Sequence, residues 1–436
     1  MKVSPFLFEG LIMCDVIEIL RSRGLLEAVT SEEVSVRLQK EQMTVYAGFD
    51  PTSESLQIGN LATIMVLSHF QRCGHRIIAL VGGATGLIGD PSGKTSERAL
   101  LSIEEIKKNT EGIKENLSRF LDFNAKKAPA ILVNNYDWLS HFTFIDFLRE
   151  VGVHFRVGAM LAKESVRARL ESETGMSFCE FSYQILQAYD FLHLYDSYGC
   201  SIQVGGSDQW GNITAGIDLI RKLRGKEVFG ITLPLICDSA GRKFGKSEGN
   251  AVYLDASKTS YYDFYQFFMR VEDADVGHLL RVYTFLPMEE INCLEEETRR
   301  NPELRLAQKR LAREMTRMVH GESALATAEK ASEVLFGADM GGLCADELMQ
   351  IFADVPSVTL PRAKVYGMKV YEVAAMAGVC SSRGEARRLI QNNGLYLNNK
   401  KVSGIEVTIT DQDILDGKLI VFRTGKRNFF LLKVTS

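Results

Sequence analysis

The stretch 76–93, RIIALVGGATGLIGDPSG, decides the fold of this chain, because a continuous apolar run ends abruptly in two turns. Arg76–Val81 predicts a buried strand, and the glycines at 82 and 83 and the run GDPSG predict tight turns directly after it. A strand that is apolar throughout is typical of a parallel sheet covered on both faces. Ligands of such sheets bind at the carboxyl ends of the strands, so the turns are candidate site segments.

The same alternation continues on both sides of this stretch. Further strands are predicted at 44–49, 130–134, 201–204 and 231–237, and the first helices at 13–23, 32–42 and 58–73. Strands that alternate with helices predict an α/β fold with a doubly wound parallel sheet. We place this Rossmann-like domain at residues 1–240 and assign its chemistry to the turns after the strands.

The remaining 196 residues have a different pattern. Residues 260–335 show helical apolar spacing with many Glu and Arg, which predicts an all-helical region that we bound at 241–340. The weakly patterned stretch 341–367, which contains Pro356 and Pro361, is predicted to be a linker with a short helix. Two helices followed by short strands predict a small α+β domain at 368–436.

Composition excludes several classes of protein. With 46% hydrophobic and 24% charged residues, the chain is typical of a soluble globular protein. No apolar run approaches a membrane span, and no basic stretch precedes an apolar core at the N-terminus, so a cytoplasmic location is expected. The eight cysteines contain no Cys-x-x-Cys pair, which argues against zinc and against a disulfide framework and favours reduced thiols.

Charge is unevenly distributed along the chain. Residues 364–436 carry 12 Lys and Arg against 6 Asp and Glu, a net charge of +6, whereas the whole chain has a net charge of −4. The preceding part therefore has a net charge of −10. A small basic domain joined to an acidic body indicates a polyanionic partner at the C-terminal end.

Two segments have the chemistry of phosphate binding. Residues 243–247, KFGKS, combine two ammonium groups with a glycine that lets the backbone approach a ligand closely. Residues 57–60, QIGN, begin a predicted helix, whose free N–H groups and dipole favour anions. Taken alone, KFGKS is equally typical of a solvated turn, and QIGN of an ordinary helix start. A phosphate-binding role for either segment is therefore supported only by the presence of the other.

Together these segments follow the order and spacing of the HIGH and KMSKS motifs of class I aminoacyl-tRNA synthetases. The most specific matches are GGATGLIGDPSGK at 82–94, FSYQILQAYD at 181–190 and QVGGSDQWGN at 203–212. The chain resembles the bacterial tyrosyl-tRNA synthetases from near residue 15 to its C-terminus. This resemblance implies ATP-dependent activation of tyrosine and its transfer to tRNA, with ATP as a substrate and Mg²⁺ bound with it, and no dedicated protein metal site.

One predicted helix carries polar residues at a helical spacing. Tyr183, Gln187 and Asp190 stand at i, i+4 and i+7, so they share one face of the helix. A buried Gln and Asp on that face argue for a lined pocket more than for apolar packing.

Residue roles are carried over from the resemblance. It implies that tyrosine is bound by Tyr46, Asp90, Tyr183, Gln187, Asp190 and Gln203, and ATP by Gly48, Asp50, Gly59, Gly206, Asp208, Gln209 and Lys246. The residues that it places at the reacting phosphates are Thr52, Gln57, Asn60, Lys94, Arg98, Lys243 and Lys246. These side chains supply positioning and charge stabilisation, which are sufficient because the carboxylate of tyrosine itself attacks the α-phosphorus.

Three positions depart from the family pattern. Gln57 and Asn60 replace the two HIGH histidines, and Ala47 stands where many relatives have cysteine. An amide can still donate a hydrogen bond, but it cannot carry a positive charge. We therefore expect these changes to lower the rate of activation modestly without abolishing it.

The C-terminal segment 379–402 resembles a small RNA-binding fold shared with a ribosomal protein. The resemblance implies tRNA contacts in this domain and at two positions of the catalytic domain, namely Arg221, Lys222, Arg383, Arg387, Arg388, Lys400, Lys401, Lys426 and Arg427. It also implies a homodimer, with an interface insertion near 120–165 that contains Trp138, Phe142, Phe144, Phe147 and Phe155. Those aromatic residues are equally compatible with an internal core.

Two alternatives stay open on the sequence. A tryptophan-specific relative would share the fold, although Asp190 next to Tyr46 favours a phenol. A catalytically idle RNA-binding paralogue is suggested by the loss of both HIGH histidines, whereas the retained Lys243, Lys246 and Asp208 argue against it.

Overall fold

The computed structural model describes residues 14–92, 101–171, 175–247, 250–335, 340, 343–352, 355–425 and 428–435. Its strands are β1 Ala28–Val29, β2 Thr44–Phe49, β3 Arg76–Val81, β4 Ile131–Asn134, β5 Cys200–Gly206, β6 Phe229–Leu233, β7 Lys246–Ser247, β8 Asn250–Ala251, β9 Ser357–Pro361, β10 Leu395–Leu397, β11 Lys400–Lys401, β12 Leu419–Thr424 and β13 Asn428–Thr435.

The helices up to residue 224 are α1 Val16–Ser22, α2 Glu33–Lys40, α3 Ile58–Arg72, α4 Thr85–Ile88, α5 Ile103–Leu117, α6 Tyr136–Leu139, α7 Phe144–Glu150, α8 Val157–Leu161, α9 Glu164–Leu170, α10 Phe178–Tyr198 and α11 Trp210–Arg224. The later helices are α12 Tyr261–Met269, α13 Asp273–Tyr283, α14 Met288–Arg300, α15 Leu306–His320, α16 Glu322–Leu335, α17 Ala345–Ile351, α18 Val370–Met376 and α19 Arg383–Gln391. The predicted strands and helices thus exist, and β2 and β3 have the predicted bounds.

The chain forms two compact units. The first unit consists of the described residues within 14–259 and 271–319. The second unit consists of the described residues within 260–270 and from 320 onward. The helical residues 271–319 therefore belong to the same unit as the parallel sheet. Arg23, at the end of α1, fixes this association because its buried guanidinium donates to the carbonyl oxygens of Arg281, Thr284 and Leu286 at 2.7–3.2 Å.

A six-stranded sheet forms the centre of the first unit. Its order is β1-β6-β5-β2-β3-β4, and every pair is parallel except β1 with β6. The chain runs outward from β2 through β3 to β4 and then returns to β5 on the other side of β2. The strand order reverses between β2 and β5, which is where a doubly wound sheet opens a crevice for a ligand.

The second unit contains a five-stranded sheet of order β11-β10-β12-β13-β9. Helices α18 and α19 share an apolar core with this sheet, which confirms the predicted helix–helix–strand pattern. The predicted linker at 341–367 contains the expected short helix, α17, and also strand β9, which was not predicted and pairs in parallel with β13. Alternating side chains at 357–361 leave one face half-buried, a weak signal that two prolines obscured in the sequence.

Cysteine chemistry also differs from the prediction. Cys14 and Cys73 form a disulfide that joins the start of α1 to the end of α3. The expectation of reduced thiols is therefore wrong for this pair, whose two residues are 59 positions apart and adjacent only after folding. The other six cysteines form no disulfide among the described residues.

Candidate active site

Candidate site residues meet at the carboxyl ends of β2 and β5. Asp50 follows β2 directly, Asp208 follows β5, and Asp90 lies in the turns after β3. The register pairs Tyr46 with Gln203 across β2 and β5, so two of the predicted tyrosine-binding residues are neighbours on the sheet. The topology therefore brings residues that are up to 162 positions apart in sequence around one crevice.

A buried carboxylate on α10 forms the innermost part of the site. Asp190 is 2% exposed, and its two oxygens accept hydrogen bonds from Trp138 Nε1 at 2.8 Å and Asn135 Nδ2 at 2.9 Å. Burial raises the pKa of Asp190 to about 7, although both donors oppose the shift. The two donors hold the carboxylate in one orientation and keep it available as an acceptor.

Two further polar groups next to this carboxylate have no partner within the described residues. The hydroxyl of Tyr46 and Oε1 of Gln203 are buried without a hydrogen bond. Burial raises the pKa of Tyr46 far above its usual value, and the nearby charge of Asp190 raises it further. Buried polar atoms without partners cost about 1–3 kcal/mol each, so a polar ligand would be stabilised here.

The helix face predicted from the sequence is oriented toward the site. On α10, Tyr183 donates its phenol hydrogen to Asp50 Oδ2 at 3.0 Å, and burial raises the pKa of this phenol well above 10.0. Gln187 lies one turn further, where it receives a hydrogen bond from Asn212 at 3.0 Å and donates to Gln209 at 3.2 Å.

Asp90 completes this polar network, because Gln209 Nε2 donates to its Oδ2 at 2.6 Å. Backbone N–H of Ser92 donates to the other oxygen of Asp90 at 2.9 Å. A positively charged ligand group could replace the amide donors between Asp90 and Gln187, since carboxylate and amide oxygens surround that place. The predicted tyrosine-binding set is therefore assembled in one region.

Polar residues at the start of α3 form a reciprocal cap. The backbone N–H of Gln57 donates to Asn60 Oδ1 at 3.1 Å. Gly59 and Asn60 are exposed, as a ligand-facing helix start requires. Ala47 and Gly48 lie within β2, where Ala47 is buried and Gly48 is exposed.

The loop containing KFGKS lies against this helix start. Gly245 adopts a φ of +96°, and a methyl group placed on it would lie 3.2 Å from the backbone nitrogen of Gly59. Main-chain hydrogen bonds from Val252 to Gly245 at 3.1 Å and from Ile58 to Val252 at 3.0 Å join the two segments. The two phosphate-type motifs, which are nearly 190 residues apart, are thus neighbours.

The cationic and hydroxyl residues predicted at the phosphates are placed only in part. Thr52 is exposed in the segment that leads from β2 to α3, and Lys243 is exposed in the loop that contains KFGKS. The backbone of Lys246 lies in β7. Lys94 and Arg98 lie outside the described residues. Gly206 ends β5 and Asp208 follows the strand; a methyl group placed on Gly206 would be 2.7 Å from Asp208 Oδ1.

The predicted tRNA-binding residues lie on two surfaces. Arg221 and Lys222 are exposed at the end of α11, where Arg221 pairs with Asp218 at 2.7 Å. In the second unit Arg383, Arg388, Lys400 and Lys401 are exposed, and Arg387 stacks on Tyr371 with its guanidinium 4.3 Å from the ring centroid. Lys426 and Arg427 lie outside the described residues.

Several site residues were missed by sequence reasoning. Asn135, Trp138, Thr85 and Asn212 each hydrogen-bond a predicted site residue. Trp138 was grouped with interface aromatics, but it is buried against Asp190 and stacks on His193 with ring centroids 4.3 Å apart. Only an Asn immediately after a strand, as at 135, could have been suspected from the pattern.

Two features that would point to other kinds of protein are absent from the described ranges. No cluster of three or more His, Cys, Asp or Glu side chains could hold a metal ion there. None of the helices in those ranges is both long and apolar enough to cross a membrane.

Comparisons with known proteins agree with this geometry. Residues 38–337 match the family model described as tRNA synthetases class I (W and Y), and residues 347–432 match the tyrosine--tRNA ligase SYY-like C-terminal domain. A tyrosine--tRNA ligase of Roseiflexus castenholzii is 51% identical over 97% of this chain and 100% of its own length. The tyrosine--tRNA ligase of Geobacillus stearothermophilus is 49% identical over 96% of this chain and 99% of its own.

Solved structures show the same architecture. A C-terminally truncated mitochondrial tyrosyl-tRNA synthetase of Aspergillus nidulans is similar with a TM-score of 0.67 and 31% identity, covering 74% of this chain and 94% of that chain. The tyrosyl-tRNA synthetase of Archaeoglobus fulgidus, solved with L-tyrosine, shares the fold with a TM-score of 0.52 and 18% identity, covering 71% of this chain and 100% of that chain.

Proposed function

This chain belongs to the class I tRNA synthetases of the tryptophan and tyrosine type, and we infer from that premise that it ligates tyrosine to its tRNA. It is a tyrosine--tRNA ligase: tyrosine and ATP give tyrosyl-adenylate and pyrophosphate, and tyrosine then passes to the 3′ end of tRNA. The structural observation that carries the assignment is the buried, doubly anchored carboxylate of Asp190 beside the unpartnered hydroxyl of Tyr46.

That pair matches a phenol. A phenol hydroxyl donates one hydrogen bond and accepts another, so it can donate to Asp190 and accept from Tyr46. An indole N–H only donates and would leave the Tyr46 hydroxyl without a partner. Phenylalanine would satisfy neither group. The discrimination against it, about 10⁴–10⁵ for tyrosyl-tRNA synthetases as a class, is a value borrowed from those enzymes.

For the ammonium group of tyrosine, we propose Asp90, Tyr183 and Gln187 as ligands. In the ligand-free network Gln209 occupies Asp90, and Tyr183 donates to Asp50. An ammonium group supplies three N–H donors. One can donate to Asp90 in place of Gln209, one to Gln187 Oε1 in place of Asn212, and one to the hydroxyl oxygen of Tyr183, which keeps its own bond to Asp50. Gln203, on β5, would accept or donate a further hydrogen bond to the bound tyrosine.

We further propose that activation relies on positioning and charge. A carboxylate oxygen of tyrosine forms a bond to the α-phosphorus, the bond to the bridging oxygen breaks, and its electron pair leaves with pyrophosphate. Gly48, Asp50, Gly59, Gly206, Asp208 and Gln209 would bind the adenosine part, and Thr52, Gln57, Asn60, Lys94, Arg98, Lys243 and Lys246 the phosphates. The exposed helix start at Gly59 and the loop seated against it support this arrangement.

Magnesium would be carried by the ATP phosphates, because Mg²⁺ keeps several of its waters and is usually bound through substrate phosphates. When bound, the ion supplies neutralisation of phosphate charge.

Transfer to tRNA requires a basic surface near the adenylate. We propose that Arg221 and Lys222 contact the acceptor arm and that Arg383, Arg387, Arg388, Lys400, Lys401, Lys426 and Arg427 bind RNA phosphates in the domain at 368–436. The exposed positions of the described members support this. We assign anticodon binding to the helices within 241–340 and catalysis to 1–240. We also propose that the protein acts in the cytoplasm, where translation consumes the product.

A homodimer is proposed from an exposed apolar surface. Five side chains on or near α7–α10 are 58–68% exposed, namely Phe144, Ile145, Val153, Val157 and Phe178. An apolar patch of this kind is typical of a subunit interface. Sedimentation should give about twice the chain mass of 48.7 kDa, and Phe144→Asp should lower it toward the monomer. A monomeric wild-type protein would refute this proposal.

One assay tests the activity. Pure protein with ATP and Mg²⁺ should catalyse pyrophosphate exchange with tyrosine, but not with tryptophan or phenylalanine, and should then charge tRNA with tyrosine. Exchange driven by tryptophan, or RNA binding without any exchange, would overturn the assignment.

A further inference from the structure

We propose that Thr85 is a positioning residue that couples tyrosine binding to ATP binding, by linking the carboxylates of Asp50 and Asp190 through its hydroxyl. This inference rests on the proposed function, in which Asp190 binds the phenol and Asp50 lies on the nucleotide side. It concerns the relation between the two subsites, not the identity of either substrate.

A continuous chain of hydrogen bonds joins the two carboxylates. Asn135 Nδ2 donates to Asp190 Oδ2 at 2.9 Å and to Thr85 Oγ1 at 3.0 Å. Thr85 Oγ1 in turn donates to Asp50 Oδ1 at 3.1 Å. Asp50 and Asp190 thus lie at the two ends of a path that has only two side chains between them.

The direction of the amide's hydrogen bonds in this path is determined. Backbone N–H of Ala84 donates to Asn135 Oδ1 at 2.8 Å, so the opposite side of the amide must be the NH₂ group. Its two hydrogens then serve Asp190 and Thr85. The Thr85 hydroxyl contacts Asp50 and also the phenol of Tyr183, which donates its own hydrogen to Asp50. Asn135 is 0% and Thr85 is 2% exposed, so water does not compete for these donors.

The backbone packs closely around Asp50 and Thr85. A methyl group on Gly82 would lie 2.2 Å from Asp50 Oδ1 and 2.4 Å from Thr85 Oγ1, distances at which no Cβ fits. The turn that carries Thr85 is closed by a hydrogen bond from Gly86 N to Gly82 O at 2.7 Å. Thr85 and Asp50 are therefore held in contact by the fold, and a change at one is felt at the other.

Shared ordering of one amide gives the coupling its sign. Both carboxylates are held by donors of the same Asn135 amide, directly at Asp190 and through Thr85 at Asp50. A phenol that donates to Asp190 fixes this carboxylate, and with it Asn135, Thr85 and the orientation of Asp50. Whichever substrate binds first therefore bears the entropic cost of ordering the path, and the second substrate bears less of it. Tyrosine should therefore increase the affinity for ATP, and ATP should increase the affinity for tyrosine by the same factor.

A merely structural role of Thr85 would have a different signature. Loss of packing would weaken tyrosine and ATP binding independently and would leave their mutual enhancement unchanged. Loss of the hydroxyl link would instead reduce the enhancement itself. The informative quantity is therefore the ratio of the Kd for tyrosine without and with a non-hydrolysable ATP analogue.

The test measures this ratio in the full-length wild type, Thr85→Val and Thr85→Ser. We expect a ratio of about 5 to 10 in the wild type, as is typical of couplings between sites. Thr85→Val keeps the shape but removes the hydroxyl, and it should bring the ratio to between 1 and 2. Thr85→Ser restores the hydroxyl and should keep the ratio within about twofold of the wild type.

Several outcomes would overturn the proposal. A wild-type ratio of 1, or an unchanged ratio in Thr85→Val, would show that the hydroxyl carries no coupling. If urea denaturation shows that Thr85→Val does not fold, Thr85→Ala serves in its place with the same expected result. Failure of the proposed function is distinguishable, because the wild type would then show no tyrosine-dependent pyrophosphate exchange at all.

Discussion

Replacing Asp190 with asparagine is the most direct test of the inner site. Both oxygens of Asp190 already accept hydrogen bonds, one from Trp138 Nε1 at 2.8 Å and one from Asn135 Nδ2 at 2.9 Å. In Asp190→Asn one of these oxygens becomes an NH₂ group that faces a donor, whichever way the amide is turned. The substitution therefore creates a buried donor–donor contact and also removes the charged acceptor for the phenol.

The expected magnitude follows from these two losses. A hydrogen bond to a charged group contributes about 1.5–3 kcal/mol, and an unsatisfied buried donor costs about 1–3 kcal/mol. If about 4 kcal/mol of this is lost from transition-state binding, kcat/KM for tyrosine falls by about 10³. Tyrosine-dependent pyrophosphate exchange measures this directly. The KM for ATP should change far less.

A matched control exists on the same helix. Asp196 is exposed on α10 and pairs with Arg224 at 2.6 Å, so Asp196→Asn makes the same chemical change away from the site. It should alter the free energy of unfolding by less than about 1 kcal/mol and leave tyrosine kinetics unchanged. If Asp190→Asn folded and kept kcat/KM for tyrosine within threefold of the wild type, the recognition role of Asp190 would be refuted.

Three further predictions address other parts of the molecule. Burial raises the pKa of Asp190 to about 7, and the phenol needs an ionised acceptor. The Kd for tyrosine, measured by calorimetry, should therefore rise about tenfold per pH unit below pH 7. A Kd that does not change between about pH 5.5 and 8 would contradict this. Gln57→His adds a group that is cationic below about pH 6.5, so pyrophosphate exchange at pH 6 should increase about tenfold, and a smaller gain at pH 8.5 is the internal control. Neutralising Lys400 and Lys401 together should reduce the slope of log K for tRNA against log salt by about 1.4–1.8 and leave pyrophosphate exchange intact; an unchanged slope would remove this surface from RNA binding.

Sequence patterns predicted the elements of the site better than its internal contacts. The bounds of strands β2 and β3 could be predicted because their apolar runs end in glycine and proline turns. The common helix face of Tyr183, Gln187 and Asp190 could be predicted because helical periodicity is a local property. Both are properties of short segments, so tertiary packing did not need to be known.

What the sequence could not supply depends on contacts between distant segments. Trp138 belonged to an aromatic run that also contains the exposed Phe144, and only the fold shows that one of these rings turns inward to Asp190. Likewise, the Cys14–Cys73 disulfide joins two helices whose contact has no local signature. Thr85 looked like one residue of a glycine-rich turn, because its partners Asp50 and Asn135 are 35 and 50 positions away.

Arg23 has a consequence for how the chain is made. Its carbonyl partners are 258 to 263 residues further along, so at about 5–20 residues per second the ribosome needs roughly 13–50 s to produce them after Arg23 emerges. During that interval the guanidinium must remain hydrated, so the end of α1 lacks its final partners although its start can already pack on α3. A nascent chain arrested before residue 281 would therefore expose the end of its first helix to proteases even though every strand of the parallel sheet had already been synthesised.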